Sequence, residues 1–477
     1  MRAARRVVPL RTQPQESDAC LLPDGREAFA VRAESVRGAR RSIDVQSYIW
    51  RSDVTGRLLA DELLRAADRG VRVRVLLDDM DARSRDPVLV ALNRHPRIAI
   101  RLFNPFSTRS GVLRTVREMF VRRSRLNHRM HNKSWIVDDE LAIVGGRNVG
   151  DEYFSASKDV NFVDMDVLLT GDAVAATARS FDAYWNCAAS TPVSRLRRIG
   201  RNKYTLGEVR RLLHEHAQAA QSGHACYLSA VPLLEDLLGN RSRWSGCGKV
   251  QIVADDPRKA QRHARDLERG VLESMIDALS AACSEVLLIS PYFVPGAGGT
   301  AALRDLARRG VSVAVLTNSL AATDVAAVHS GYSRYRPSLL EGDVRLFELK
   351  AAVAPQEQDK RMRLGSSRAS LHTKAAIVDR KRLFVGSFNL DPRSAQLNCE
   401  MGAWIDSETL ACQMREIFSA AVTLEHSYTL GLDDAGRTYW LERTGGRELR
   451  YQREPRAGWG RRAVTWLLRW LPIESQL

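Results

Sequence analysis

The sequence predicts an α/β protein made by duplication. Two α/β/α lobes with mostly parallel sheets are expected to be related by a pseudo-twofold axis, with a small C-terminal strand-and-helix extension. Three observations carry this expectation. A spaced motif occurs twice, 241 positions apart. Each copy follows a strand–helix–strand pattern at nearly the same offset. The chain, at 477 residues, is also longer than one hydrophobic core usually serves.

In the first half, residues 42–49 read as a buried strand. Residues 57–69 carry Leu59, Leu63, Ala66 and Ala67 at helical spacing, Gly70 caps that helix, and 71–77 form the next strand. The second half repeats this with a strand at 286–290, a helix at 301–309 ending at Gly310, and a strand at 311–316. A right-handed crossover in each half implies parallel strands covered by helices. The first lobe is expected at 17–190, a basic connector with Arg195, Arg197, Arg198 and Arg201 at 191–245, and the second lobe at 246–425. In the extension, 426–477, short strands are expected at 428–432, 438–443 and 448–452, separated by Asp433-Asp434-Ala435-Gly436 and Thr444-Gly445-Gly446 turns.

A hydrophobic content of 44% and a charged content of 27% describe an ordinary globular protein. The net charge of +16 points to an anionic partner: a phospholipid surface, a nucleic acid or a phosphate ester. Seven scattered cysteines without a CxxC pair suit a reducing compartment. No apolar run reaches the ~18 residues needed to span a bilayer. The first twenty residues hold Arg2, Arg5, Arg6 and Arg11 but no signal-peptide core. A lipid substrate would therefore be reached from the side.

The motif copies are His131-Asn132-Lys133 to Asp138 with Gly145-Gly146-Arg147-Asn148, and His372-Thr373-Lys374 to Asp379 with Gly386-Ser387-Phe388-Asn389. Only nine lysines stand against 63 arginines, yet one occupies the motif position in each half. The chemistry explains the pattern. A phosphodiester needs a nucleophile, a proton donor for the leaving alcohol, and positive charge around phosphorus. His131 and His372 supply the first two, because imidazole changes protonation near neutral pH. Lys133 and Lys374, two residues along, project to the same side as their histidines and stabilise the developing charge. Asn148 and Asn389 add neutral donors to the phosphate oxygens. The small residues before each asparagine are expected to let the phosphate approach the backbone. Asp138 and Asp379 complete the candidate catalytic set, with holding the local loop and strand as their main role. One half holds only half of this machinery, so the site is expected where the halves meet. No metal-ligand cluster is evident, and no metal or cofactor is expected. His214-Glu215-His216 reads as a solvated helix face.

Twice over, this is the His-x-Lys-x4-Asp signature of the phospholipase D superfamily, which the chain resembles at every fixed position. The resemblance extends to the bacterial cardiolipin synthases of the type without N-terminal transmembrane helices. It is carried by Leu21-Leu22-Pro23-Asp24-Gly25 through Ile43-Asp44-Val45-Gln46-Ser47-Tyr48-Ile49-Trp50, and by Arg69-Gly70-Val71-Arg72-Val73. Ser124-Arg125-Leu126-Asn127, Gly150-Asp151-Glu152-Tyr153-Phe154, Asp255-Asp256-Pro257-Arg258-Lys259 and Leu471-Pro472-Ile473-Glu474-Ser475 match as well. Ser47 departs from the tyrosine expected in many relatives.

The resemblance implies two phospholipase D-like lobes and phosphatidyl transfer through a phosphatidyl-histidine intermediate to phosphatidylglycerol, giving cardiolipin. His131 is the favoured nucleophile, with the reverse order left open. An acidic residue on a following strand orients each histidine: Glu400 in the second half and Asp164 in the first, with Asp166 competing. The donor is phosphatidylglycerol or phosphatidylethanolamine, and an accessory protein is a further partner left open. The alternative is a phosphodiesterase hydrolysing phospholipid; nucleic acid is not an expected partner, since no stacking platform appears. The implied location is the cytoplasmic face of the bacterial inner membrane, as a peripheral protein on an anionic membrane surface. Two stretches suit such contact. Seven arginines between Arg109 and Arg129 alternate with apolar residues, and from Trp459 onward Ala463, Trp466, Leu467 and Trp470 share one helical face, away from Arg461, Arg462, Thr465 and Arg469.

Overall fold

The structure, a computed structural model, describes residues 17–82, 86–106, 127–196, 203–228, 234–244, 249–260, 267, 269–351 and 369–469. The basic stretch from Arg109 falls almost entirely outside the described residues, as do Trp470 and the final motif at 471–475.

The first half contains β1 (Asp18–Leu22), β2 (Ser42–Ser47), β3 (Arg72–Asp78), β4 (Ile98–Phe103), β5 (Ser134–Val137), β6 (Leu141–Gly145), β7 (Asn161–Val163), β8 (Asp166–Thr170) and β9 (Ser190–Pro192). The second contains β10 (Lys249–Ala254), β11 (Glu285–Ile289), β12 (Ser312–Asn318), β13 (Arg345–Leu349), β14 (Ala369–Leu371), β15 (Ala375–Val378), β16 (Arg382–Gly386), β17 (Met401–Asp406), β18 (Ser427–Leu432), β19 (Thr438–Thr444) and β20 (Arg447–Tyr451). Eight strands form one sheet in the order β1-β8-β6-β5-β2-β3-β4-β9. The other sheet repeats that order as β10-β17-β16-β15-β11-β12-β13-β18 and continues through β19 and β20. The extension thus lengthens the second sheet by one hairpin.

The sheets are mixed, which corrects the expectation of mostly parallel pairing. Within these two sheets only β2-β3-β4 and β11-β12-β13 run parallel. The helices Val54–Asp68 and Gly296–Arg308 make the crossovers from β2 to β3 and from β11 to β12, and shorter helices, including Asp86–Leu92 and Ala326–Ser333, lie between β3 and β4 and between β12 and β13. The motif strands pair antiparallel because each pair turns back within three residues, too few for a crossover. The turns explain the motif aspartates. Asp138 and Asp139 have φ of 55° and 57°, and Asp379 and Arg380 have 52° and 58°, a left-handed geometry that aspartate tolerates better than most residues. From there the Asp138 carboxylate accepts the backbone N–H groups of Arg40, Arg41 and Ser42 at 2.7–2.8 Å, tying the turn to the start of β2. Asp379 does the same for Cys283, Ser284 and Glu285 before β11.

Strand alternation divides the apolar side chains among three layers. Ile43, Val45, Val73, Val75 and Trp135 pack under the helices Gly25–Gly38 and Val54–Asp68 on the outer face of the first sheet. Val286, Val313, Ala376 and Trp404 form the outer core of the second half. Between the sheets lies a shared core: Ile136, Val144 and Phe181 of the first half meet Leu287, Ile377 and Met414 of the second. The two halves are therefore one packed body, and burying this middle layer requires both.

The turn carboxylates give a direct test. Asp379→Ala leaves three backbone donors without their acceptor, and the unfolding free energy should fall by about 2–3 kcal/mol. Urea unfolding measures this; a variant as stable as the parent but inactive would instead place Asp379 in the chemistry.

Candidate active site

Each candidate histidine sits on a short extended segment that crosses to the other half. Met130 bridges Cys399 in parallel register, the His131 N–H donates to Cys399 O at 2.8 Å, and the Cys399 N–H donates to Arg129 O at 2.8 Å. In the mirrored position β14 pairs in parallel with β7, and the His372 N–H donates to Val163 O at 2.8 Å. Backbone ladders between the halves thus fix both imidazoles before any side chain acts.

The carboxylates cross in the same way. His131 Nδ1 lies 2.8 Å from Glu400 Oε2, and His372 Nδ1 lies 2.5 Å from Asp164 Oδ2. Each imidazole is therefore held by an acid from the opposite half, with Nε2 left for a substrate. Asp166 points elsewhere: it pairs with Arg32 at 2.8 Å and Arg147 at 3.5 Å. Further residues brace the two acids. Ser387 Oγ donates to Glu400 Oε2 at 2.5 Å, and the Glu400 N–H donates to Asp255, which also holds Lys259 at 2.7 Å. Behind Asp164, the Arg147 guanidinium donates to Asp164 O, Leu22 O and Pro23 O.

The small residues of the motif serve these acids, which corrects the reading that they admit phosphate. A Cβ on Gly146 would stand 2.2 Å from Asp164 Oδ1, and one on Gly145 would stand 2.2 Å from Asp166 Oδ1. Glycine is needed there because carboxylates occupy the space. In the second half a Cβ on Gly386 would meet Met401 O at 2.4 Å, while Ser387 uses its hydroxyl to bind the acid instead.

Lys133 and Lys374 are buried, and each ammonium donates to the carbonyl of its own motif histidine. Burial pushes Lys133 down to about 7 and Lys374 to about 8, partly offset by the nearby carboxylates. Burial also pushes His131 down to about 4, with Glu400 opposing and Lys133 and Lys374 reinforcing the shift. His372 is lowered by burial and Lys374, against the pull of Asp164. Burial alone would raise Glu400 and Asp164, but the facing imidazoles and lysines hold both below the ordinary carboxylate value. His131 responds to Lys374, and His372 to Lys133, as expected of groups sharing one site.

Asn148 is committed within the protein: its Oδ1 accepts from the Ile49 N–H at 3.1 Å and its Nδ2 donates to Tyr153 OH at 2.9 Å. Asn389 is buried, and its Oδ1 has no hydrogen-bond partner among the described residues. Aromatic side chains that motif spacing did not identify wall the site. The Tyr48 ring lies 5.0 Å from His131, and Tyr153 and Phe162 lie 5.2 and 5.1 Å from His372. Ser47, the departure from the expected tyrosine, donates to Ile49 O at 2.7 Å; Ser290 makes the equivalent bond to Tyr292 O at 2.7 Å.

Asp138 and Asp379 are not brought to the imidazoles. A four-residue strand separates each from its histidine, roughly 13 Å at the usual rise. His214 lies on the helix Leu206–Leu228 with Arg65 at 3.0 Å. Among the described residues, one set of potential metal ligands clusters: His329, Glu348 and Glu454. The Arg336 guanidinium reaches all three, at 2.5, 3.0 and 2.6 Å, and so provides their cation. This buried network ties the extension to β13.

The family profile described as "Cardiolipin synthase, PLD-like domain" matches residues 33–185 and 275–422. Cardiolipin synthase C of Escherichia coli (strain K12) is 39% identical over 484 residues, covering 99% of both chains. A protein of Helicobacter pylori described as uncharacterized is 34% identical over 406 residues, 85% of this chain and 79% of that one. Among solved structures, phosphatidylserine synthase of Haemophilus influenzae Rd KW20 shares the fold, with a TM-score of 0.58 at 15% identity over 86% of this chain and 87% of that chain. With the duplicated sheets and the full-length likeness together, the chain belongs to the cardiolipin synthase family of phospholipase D-like proteins.

Proposed function

We propose that this protein makes cardiolipin by transferring a phosphatidyl group to phosphatidylglycerol through a covalent histidine intermediate. The crossed arrangement of His131–Glu400 and His372–Asp164 carries the reading, because it presents two oriented Nε2 atoms beside two ammonium groups. In the first step His131 Nε2 attacks phosphorus, and the bond to the head-group oxygen breaks as that oxygen takes a proton from His372. In the second, His372 removes the proton from a phosphatidylglycerol hydroxyl, whose oxygen displaces His131 from phosphorus. Lys133 and Lys374 balance the charge on the non-bridging oxygens, and Asn389 is positioned to assist.

Charge balance supports one neutral and one protonated imidazole. Two lysines and two carboxylates cancel in the free site, where burial disfavours histidine cations. A bound phosphodiester adds one negative charge, which one imidazolium offsets. Each histidine is 8% exposed, so a lipid hydroxyl delivered with its own apolar chains is favoured over water at the second step.

Contact with the bilayer is assigned to the helix Trp459–Leu468. No described helix is long and apolar enough to cross a membrane. This helix turns Thr465 to the body and anchors Arg461 on Thr323 O, while Trp459, Val464 and Leu467 are 85, 49 and 59% exposed. Apolar side chains facing outward beside basic ones suit a lipid interface.

Four outcomes are expected. Expressed in cells without their own cardiolipin synthases, the protein should restore cardiolipin in the lipid profile. His131→Ala and His372→Ala should each lower activity at least roughly 10³-fold, and Glu400→Gln and Asp164→Asn about 10²–10⁴-fold; phosphatidic acid as the sole product would mean hydrolysis instead. Because the lysines are pushed down to about 7 and about 8 in the free site, their charge is lost as pH rises through that range. With a dispersed short-chain substrate, kcat/KM should accordingly fall as pH rises through about 7 to about 8 while kcat holds further; a kcat/KM flat to pH ~9.5 would contradict the lysine role. Truncation after Gly458 should weaken binding to anionic vesicles, salt-sensitively, more than it lowers activity on dispersed lipid. Attraction of about 1 kcal/mol per basic residue is lost with the helix, and unchanged vesicle binding would assign it to packing alone.

A further inference from the structure

Beneath the helices of the first half lies a cavity of about 310 Å³, separate from the catalytic residues. Its volume falls in the range of small-molecule sites, roughly 300–1,000 Å³. The floor is the outer face of the first sheet, including Val75 and Ile100, and the walls include Ala60 of the helix Val54–Asp68 and Leu212 of the helix Leu206–Leu228. Among the described lining residues polarity is segregated. Apart from Tyr204, the charged and hydroxyl side chains are Arg51, Ser52 and Arg57, all exposed and all in one short segment. Leu212 remains 48% exposed at the rim, an apolar side chain left facing outward.

The polar end is joined to the catalytic edge. Trp50 lines the cavity and lies two residues after Tyr48, whose ring stands 5.0 Å from His131. Trp50 also bridges Val149, the residue after Asn148, and its indole N–H is fixed on Gly56 O at 3.1 Å. At the same end Arg51 is already paired with Asp81 and Glu152, whereas Arg57 is exposed and has no ion pair among the described residues. A lined apolar space of this size, with an available cation at its mouth, matches an anionic amphiphile: the chain enters and the head stays outside. The second half is built differently at the corresponding layer, where Arg336 stacks between Tyr332 and Trp440 at 4.6 and 5.3 Å. The cavity is thus not a requirement of the repeated fold.

We propose that this cavity receives one acyl chain of an anionic glycerophospholipid, entering past Trp50, with Arg57 facing the head group. The assignment rests on the phosphatidyl-transfer reading, since it seats a chain of the same lipid class beside the site that would act on it. It makes the first half the one that selects for acyl chains.

Trp50 is a built-in reporter. Lysophosphatidylglycerol carrying a dibrominated acyl chain, added below its micelle concentration to the full chain, should quench Trp50 saturably; the signal is isolated by difference from Trp50→Phe. Ala60→Phe, which fills the cavity, should abolish this difference quench. Leu212→Lys, a change at an exposed position that the fold tolerates, should weaken it several-fold, with thermal unfolding measured alongside. In turnover, both variants should raise KM for long-chain phosphatidylglycerol about 5–10-fold while leaving KM for the dihexanoyl lipid unchanged, as expected when one apolar contact region is lost. Equal quenching in the parent, Ala60→Phe and Leu212→Lys overturns the proposal. Cardiolipin formation without any Trp50 quenching overturns it as well, and leaves phosphatidyl transfer standing. Quenching that behaves as expected in a protein that makes no cardiolipin supports the acyl site and removes only the transfer reading.

Discussion

The hydrogen bonds that cross between the halves, His131 to Glu400 and His372 to Asp164, set the terms for the rest of the molecule. Each imidazole takes its orientation from an acid on the other half, so neither half can be assembled correctly alone. The crossing needs backbone ladders to bring the segments together, and these form at Met130–Cys399 and between Asn161–Val163 and Ala369–Leu371. It also needs a shared apolar layer between the sheets, which burial of Ile136, Val144, Leu287 and Ile377 supplies. Binding geometry and folding are thereby coupled: separating the sheets would expose this core and release both imidazoles at once.

Burial also decides the electrostatics. Four charged groups and two imidazoles share a largely dry site, and the stable arrangement is the one with no net charge. Glu400 and Asp164 are held below the ordinary carboxylate value because imidazoles and lysines face them, while burial lowers both histidines. The negative charge of a phosphodiester would then do two things together, favouring the charged form of the lysines and allowing one imidazolium. A site organised in this way favours its proton donor most when a phosphate is present.

The duplicated halves have diverged where supporting residues are concerned. Gly146 gives way to Asp164, whereas Ser387 donates to Glu400. Arg147 braces Asp164 through its carbonyl oxygen, and Asp255 braces Glu400 through its N–H. The outer layers differ more. The first half encloses a cavity between helices, and the second buries Arg336 with His329, Glu348 and Glu454 to hold the extension. Equivalent backbones have thus been given unlike surroundings, which is how a symmetric scaffold can treat two lipid molecules differently.

Much was legible in the sequence, because it depended on spacing. The repeated histidine and lysine positions sit two residues apart on the extended segments that lead into β5 and β15, the asparagines follow β6 and β16 at the same interval, and the strand–helix–strand units carry local apolar patterns, so their order and rough limits follow from the chain itself. The family resemblance was equally local in origin. What the sequence left undecided was long-range. Glu400 and Asp164 could be picked out, but which imidazole each reaches depends on backbone pairing across more than two hundred residues. The sheet directions were misread because the crossover rule covers β2 to β4 and not the three-residue turns at Asp138 and Asp379. The glycines were assigned to the wrong neighbour for the same reason, since only packing shows that carboxylates fill the space beside Gly145 and Gly146. Sequence alone determined which groups the chemistry has and the scaffold that repeats them; tertiary structure decided their partners, because hydrogen bonds and desolvation act between groups that the chain brings together only after the halves have docked.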